Sequence, residues 1–285
     1  MLSLSSLYGI KYASPLPLSL CRINKKYLLD RAGIGEDGSV LLFLMPYYTS
    51  AASCGNVSMY AAAEDYHIFF RRLTDDLLPR LRAERDLAVF AAYADHSPIS
   101  EMYGAALSGL GVLGKNELLI NAEYSSFCFI GGIYSDIPYT EWTHIVSEAS
   151  VPEKYEVKGC FDCGRCAEAC PAGCIGGDRS HCRSYITQKK RLDAGEDEII
   201  KNSRYVWGCD ICQNVCPYTK AAAKAGTLET PIDFFRENLI PELSLEVLDG
   251  LLADGKFESR AFSWRGEDTI RRNLKIKEGC YELDT

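Results

Sequence analysis

No apolar run reaches about eighteen residues anywhere in the 285-residue chain, so no segment reads as a membrane-spanning helix. Positive charge is not in excess either. The 31 Lys and Arg against 39 Asp and Glu leave a formal net charge of −8. That balance argues against non-specific nucleic-acid binding by the whole surface, while a local basic groove stays compatible with it. Low-complexity tracts are absent, and internal repetition is confined to two Cys-Pro runs. The first twenty residues lack a basic n-region and carry Pro15 and Pro17, so no signal peptide is read there. The expected compartment is the cytoplasm, where thiols are kept for metals or catalysis rather than disulfides. An apolar fraction of 47% and a charged fraction of 25% exclude disorder, collagen and coiled coil as readings of the whole chain. The length suggests about two domains with a core that needs no crosslinks.

Cysteine is abundant. Of 13, nine fall between Cys160 and Cys216, Cys174 among them, and Cys21, Cys54, Cys128 and Cys280 are scattered. The segment GCFDCGRCAEACP (159–171) has the spacing Cys160-x2-Cys163-x2-Cys166-x3-Cys170-Pro171, the bacterial ferredoxin run for 4Fe–4S clusters. A tight loop delivers three thiolates to three corners of a cubane, and the fourth Cys points away to the other cluster. GCDICQNVCP (208–217) supplies the matching partner. The crossing rule therefore assigns Cys160, Cys163, Cys166 and Cys216 to cluster one. Cluster two receives Cys170, Cys209 and Cys212 and needs one more ligand. Cys182 is favoured and Cys174 competes. Structural zinc is the weaker alternative, because zinc sites do not require the x2, x2, x3, Pro signature. Two clusters held together imply electron transfer, and the remaining residues would hold the acceptor.

Residues 1–150 read as one α/β domain, 151–225 as the cluster module and 226–285 as a short helical segment. Within the first, 40–48 reads as a buried strand ending at Pro46. Residues 60–85 read as a helix burying Ile68, Phe69, Leu73, Leu77 and Leu81, kinked or divided at Pro79. Residues 86–94 read as a strand and 102–115 as a small-residue helix. Residues 117–136 read as a hairpin turning near Asn121–Tyr124, and 137–158 as a polar linker. Two or three short helices are expected in 221–285.

Three places in the first domain carry candidate chemistry. Asp95 follows an apolar strand and precedes Ser97-Pro98, which suits a general acid, or a turn-forming Asp. Lys115 and Asn116 follow Gly111 and Gly114, where glycine would let backbone approach a cofactor, or cap a helix. Asp65, Tyr66 and His67 open a helix. Lys189, Lys190 and Arg191 read as a solvated helix face.

Taken together, these segments resemble the epoxyqueuosine reductases, cobalamin-dependent iron–sulfur enzymes of tRNA queuosine synthesis related to reductive dehalogenases. The matching pieces are the DYH of Asp65–His67, the D-x-x-P-x-x-E of Asp95–Glu101, the G-x-x-GKN of Gly111–Asn116 and the SF-x-F-x-G of Ser126–Gly131. They continue with the Cys run from Cys160, the C-x-SY of Cys182–Tyr185 and the GCD-x-C-x3-CP of Gly208–Pro217. The resemblance implies a nitroreductase-like α/β domain that binds cobalamin, followed by a ferredoxin-like module with two 4Fe–4S clusters. It implies the crossed ligand sets, Cys182 included. It implies Asp95 as proton donor in reducing the epoxide of epoxyqueuosine in tRNA to the alkene. Tyr66, His67, Asp95, Lys115, Asn116 and Asp210 would contact cobalamin, and a ferredoxin or flavodoxin would supply electrons.

The sequence departs from the family pattern at His96, Val112, Gly132 and Glu64, and residues 226–285 carry 8 Lys and Arg against 13 Asp and Glu. Two other readings follow: the same core acting on a different, small substrate, or a two-cluster electron carrier without substrate chemistry.

Overall fold

The computed structural model describes residues 1–279; Cys280 lies outside them. The chain divides into two compact units, each discontinuous in sequence: 1–46 with 66–162, and 47–65 with 163–285. Residues 47–65 thus join the cluster-bearing unit rather than the N-terminal one, and 226–279 share that unit instead of standing apart.

The first unit is built on one antiparallel sheet in the order β1 (Ala13–Pro17), β2 (Ser39–Pro46), β6 (Cys128–Ser135), β3 (Phe90–Tyr93). β2 is buried along its whole length. An unbroken apolar run is needed because both faces of this antiparallel strand are covered. Val40, Leu42 and Leu44 pack in a core with Ala105, Ala106 and Leu107 from the helix Glu101–Leu107. On the alternate positions, Phe43 stacks on Phe70 of the helix Tyr66–Glu84 at 6.2 Å between ring centres. Gly131 makes this stack possible, since an added Cβ there would meet Phe43 at 2.6 Å and Phe70 at 2.8 Å.

Several expected elements shift. The long helix starts at Tyr66 and runs unbroken through Pro79, burying Phe69, Phe70, Leu73, Leu77 and Leu81, while Met59–Ala62 form a separate turn. β3 is only Phe90–Tyr93, and Leu87 is 92% exposed. The small-residue helix stops at Leu107, and Val112–Leu113 become a strand, β4. The hairpin over 117–136 does not form. Leu119–Ile120 (β5) pairs with β4, whereas β6 pairs with β2 and β3. Asn121 turns the chain between the two sheets: its Oδ1 accepts from the N–H groups of Glu123 and Tyr124, and its Nδ2 donates to Leu110 O. The expected linker 137–158 is mostly surface but is anchored in the core at a few points. Trp142 and Ile145 are fully buried, and Trp142 Nε1 donates to Ser39 Oγ at 2.9 Å.

In the second unit the helices are short, as their frequent Cys, Gly and Pro require. Pro217–Ala225 begins on Pro217 with Cys216 at its cap. Leu245–Ala253 and Glu267–Glu278 follow. The last buries Ile270, Leu274 and Ile276 and sets Asn273 fully inside. Asn273 Nδ2 donates to Thr187 O at 2.7 Å and to Val206 O at 2.9 Å. Gly208 N–H donates to Thr187 Oγ1 at 2.9 Å. The segment after Cys182 and the segment before Cys209 are therefore tied to one helix and to each other. Among the described residues, no helix is long and apolar enough to cross a membrane.

Candidate functional site

The two Cys runs meet within the second unit. Cys166 lies on the short helix Arg165–Ala169, which packs against Ile211–Asn214, the turn that carries Cys212 and precedes Cys216. Cys163 precedes that first helix, and Cys160, at the end of the other unit, is fixed by its N–H donating to Leu113 O at 2.9 Å. A pocket is lined by Cys170, Cys174, Cys182, Cys209 and Cys212, with Arg179 and Arg183 in its wall. Both runs and the intervening Cys182 thus contribute to one cavity, as crossed ligation requires. An all-thiol donor set suits an iron–sulfur cluster, and the arginines favour its negative charge.

The thiols differ. Burial raises Cys170, but N–H groups of Cys174, Ala172 and Gly173 and the Cys174 side chain outweigh it, and the net direction is downward. Burial pushes Cys209 up to about 11, and burial together with its contacts to Cys170 and Cys182 pushes Cys174 up to about 12. Cys170 Sγ and Cys174 Sγ are 3.5 Å apart.

Asp210 is fully engaged inside this unit. Its carboxylate accepts from Ser58 Oγ at 2.5 Å, Met59 N–H at 2.7 Å and Gln213 Nε2 at 3.0 Å. Burial raises its carboxyl despite those bonds. It locks residues 58–59 onto the second Cys run. Lys189 is likewise no solvated helix residue: the helix ends at Thr187, and its ammonium lies 2.8 Å from Glu196.

The first unit places Asp95 just beyond β3. Its backbone is left-handed, φ 62°, and His96 N–H donates to Ala94 O at 2.7 Å across it. Asp95 is therefore the centre of a γ-turn of the rare positive-φ kind, a strained geometry that persists only where its surroundings hold it. They do so here from two sides. Asp95 N–H donates to both carboxylate oxygens of Glu101, at 3.1 and 3.2 Å. Below, Ser97 Oγ and Tyr134 OH are 2.6 Å apart. From the other side, the N–H groups of Asn24 and Lys25 donate to Pro98 O, and Ser100 N–H donates to Arg22 O. His96 is held between Lys25 Nζ at 3.1 Å and Tyr27 OH at 2.9 Å. The Asp95 carboxyl itself is exposed. Glu101 is pushed up to about 7, chiefly by burial and further by the Asp95 charge.

Tyr66, His67, Lys115 and Asn116 lie on the same unit as Asp95. Tyr66 stacks on Phe129 at 4.0 Å and lies 4.1 Å from the His67 ring. Lys115 pairs with Asp162 at 2.8 Å. Asn116 is buried, and its Oδ1 accepts from Leu118 N–H at 3.4 Å. Gly111 precedes β4 and lets it pack closely on β5, since an added Cβ would stand 2.6 Å from Ile120 O. For a flat cofactor the fit rests on the sheet end beside Asp95. There Ala92 of β3 and Phe129 of β6 share one half-buried face, with Tyr66 stacked on Phe129, while Ala91, Tyr93, Cys128 and Ile130 face the other way and pack against the Leu42 core. A small side chain beside an aromatic face suits a planar ring system. Sequence reading missed Glu101's bond to the Asp95 N–H, the Lys25–His96–Tyr27 group and Asn273. The motif D-x-x-P-x-x-E carried a signal for the first, while the others join distant segments.

A family model described as a 4Fe-4S double cluster binding domain matches residues 159–219. An epoxyqueuosine reductase of Leadbetterella byssophila is 31% identical over 90% of this chain and 81% of its own. The chain belongs to the epoxyqueuosine reductase family. Another epoxyqueuosine reductase, from Lactococcus garvieae, is 32% identical over 77% of this chain, and the match spans 60% of its own length. A crystal structure of an epoxyqueuosine reductase with an epoxyqueuosine-modified tRNA-Tyr stem loop aligns with a TM-score of 0.69 at 25% identity, covering 91% of this chain and 68% of that one. This family member thus has the mixed α/β architecture of the epoxyqueuosine reductases, with a double-cluster domain at 159–219.

Proposed function

We propose that the protein is an iron–sulfur and cobalamin-dependent reductase acting on epoxyqueuosine in tRNA, working in the cytoplasm with a ferredoxin or flavodoxin as electron donor. The observation that carries this reading is Asp95: an exposed carboxyl on a strained turn, held by Glu101, in a chain where Cys170, Cys182, Cys209 and Cys212 line one pocket. The stem-loop complex of a relative supports tRNA as the substrate.

Opening an epoxide to an alkene consumes two electrons and two protons and releases water. The clusters would be held by Cys160, Cys163, Cys166 and Cys216, and by Cys170, Cys182, Cys209 and Cys212. When bound, cobalamin supplies a reducible cobalt that receives electrons from the clusters. Tyr66, His67, Lys115 and Asn116 are its proposed contacts, on a nitroreductase-like domain. Asp210, its carboxylate already filled, supports the second Cys run. Asp95 would give its proton to the departing oxygen. The left-handed turn aims the carboxyl outward, and Glu101 fixes the turn through the N–H, leaving the Asp95 oxygens for the substrate.

A small-molecule substrate is the second reading. It is favoured by His96, bonded to Lys25 and Tyr27 where the family pattern has Ser or Thr, and by the acidic residues 226–285. The test is anaerobic reconstitution of the full chain, cob(II)alamin titration followed by EPR, then turnover on epoxyqueuosine-containing tRNA. About eight irons per chain, a perturbed cobalt signal and conversion to queuosine are expected. Eight irons with an unperturbed cobalt signal would leave an electron carrier. A perturbed signal without tRNA turnover would leave the small-substrate reading.

A further inference from the structure

Five thiols line a pocket whose cluster takes four, and the spare one is not placed as a ligand. Cys174 Sγ stands 3.5 Å from Cys170 Sγ. Thiolates bonded to different irons of a cubane diverge from its corners and do not touch each other. Cys174 is also only 3% exposed, while Cys170, Cys182, Cys209 and Cys212 are each half-buried. It lines the same pocket, packed directly against Cys170 and also in contact with Cys182. The local backbone accounts for this: Gly173, at φ 59°, donates its N–H to Cys170 O at 3.0 Å, and the tight turn brings residue 174 back onto residue 170.

A ligating Cys170 is a thiolate and has no proton to give. The hydrogen in the contact then belongs to Cys174. We infer that Cys174 is a positioning residue for cluster two, whose S–H donates to the Cys170 thiolate and raises the reduction potential of that cluster. The inference rests on the two-cluster reading above. When cluster two takes one electron from a one-electron donor, its sulfurs gain negative charge, the ligand sulfur included. A donor fixed on that sulfur stabilises the reduced form more than the oxidised one. Arg179 and Arg183 in the pocket wall act in the same direction, so Cys174 adjusts a potential the arginines already favour. The second Cys run, through Cys209 and Cys212, completes the cluster without it.

The test compares wild type, Cys174→Ala, Cys174→Ser and Cys182→Ala, each a full chain reconstituted anaerobically. Iron and sulfide per chain are measured, and a dithionite titration is followed by EPR. Wild type, Cys174→Ala and Cys174→Ser should all hold about eight irons, and Cys182→Ala about four. In Cys174→Ala the midpoint of one cluster should move to more negative potential while the other stays put. Cys174→Ser, which keeps a hydroxyl donor, should fall between it and wild type. The sign separates tuning from loosened packing, because water admitted to the pocket would raise the potential. Eight irons in Cys174→Ala with an unmoved or raised midpoint overturns the inference and leaves the clusters standing. Iron falling to about four in Cys174→Ala, but not in Cys182→Ala, overturns it by making Cys174 the ligand. Wild type holding zinc, or far fewer than eight irons, overturns the two-cluster reading itself.

Discussion

Asp95 has a backbone φ of 62°, a region that aspartate and asparagine enter more readily than other side chains. Asp95→Asn therefore keeps the turn and removes only the transferable proton. The expected outcome is an unfolding midpoint within a few degrees of wild type, full iron content and a turnover loss of about 10²–10⁴-fold. Unchanged turnover in that variant would end the proton-donor role. Glu101 gives a second, independent measurement. Its carboxyl is raised from 4.5 to about 7, first by burial and then by the Asp95 charge. Because the folded value lies above the unfolded one, Glu101's contribution is complete below about pH 4.5 and is lost as pH rises through about 7. Glu101→Gln keeps an acceptor for the Asp95 N–H and never ionises. Its midpoint should gain on wild type as pH climbs from 5.5 to 8.5, by at most about 3 kcal/mol. A difference between the two that stays flat with pH would show that the buried carboxyl does not titrate there.

Among the elements, the helix Glu267–Glu278 has the clearest consequence for the site. Asn273 on it satisfies the carbonyls of Thr187 and Val206, and these flank the segments that carry Cys182 and Cys209. Asn273→Ala would leave both carbonyls buried without that donor, at a cost of roughly 1–3 kcal/mol. Thermal unfolding should show that loss, and reconstitution should show less iron retained by cluster two than by cluster one; equal retention would separate the helix from the cluster loops. Sequence periodicity could not reveal this helix's role, because its key residue is polar and its partners lie 67 and 86 positions away. Where an element's signal was local, reading succeeded. The run Val40–Met45 and the spacing Phe69, Leu73, Leu77, Leu81 describe surfaces that are in fact buried. The hairpin failed because Leu119–Ile120 and Cys128–Ser135 alternate in the same way, and only the Asn121 bonds decide which partner each takes.

For the molecule as a whole, the Cys spacing made the double-cluster module legible, since ligand geometry is written in short intervals. The two units were not legible, because residues 47–65 reach the second one through contacts such as Ser58 to Asp210 that no interval records. Charge is also a whole-molecule property, and it makes the substrate question measurable. With a net charge of −8, the surface as a whole repels RNA, so any tRNA affinity must come from a few local cations. Beside Asp95 one of these is Lys25, bonded to His96. Each phosphate contact lowers the logarithm of affinity by about 0.7–0.9 per decade of salt, so three contacts predict about a 20- to 40-fold loss between about 50 and 200 mM salt. Binding of an epoxyqueuosine-modified stem loop, followed by fluorescence anisotropy across that range, should show such a shallow slope. Lys25→Gln should reduce the slope by about one contact. A slope of zero in wild type would mean that no phosphate is gripped, and the small-substrate reading would then account better for His96 and the acidic residues 226–285.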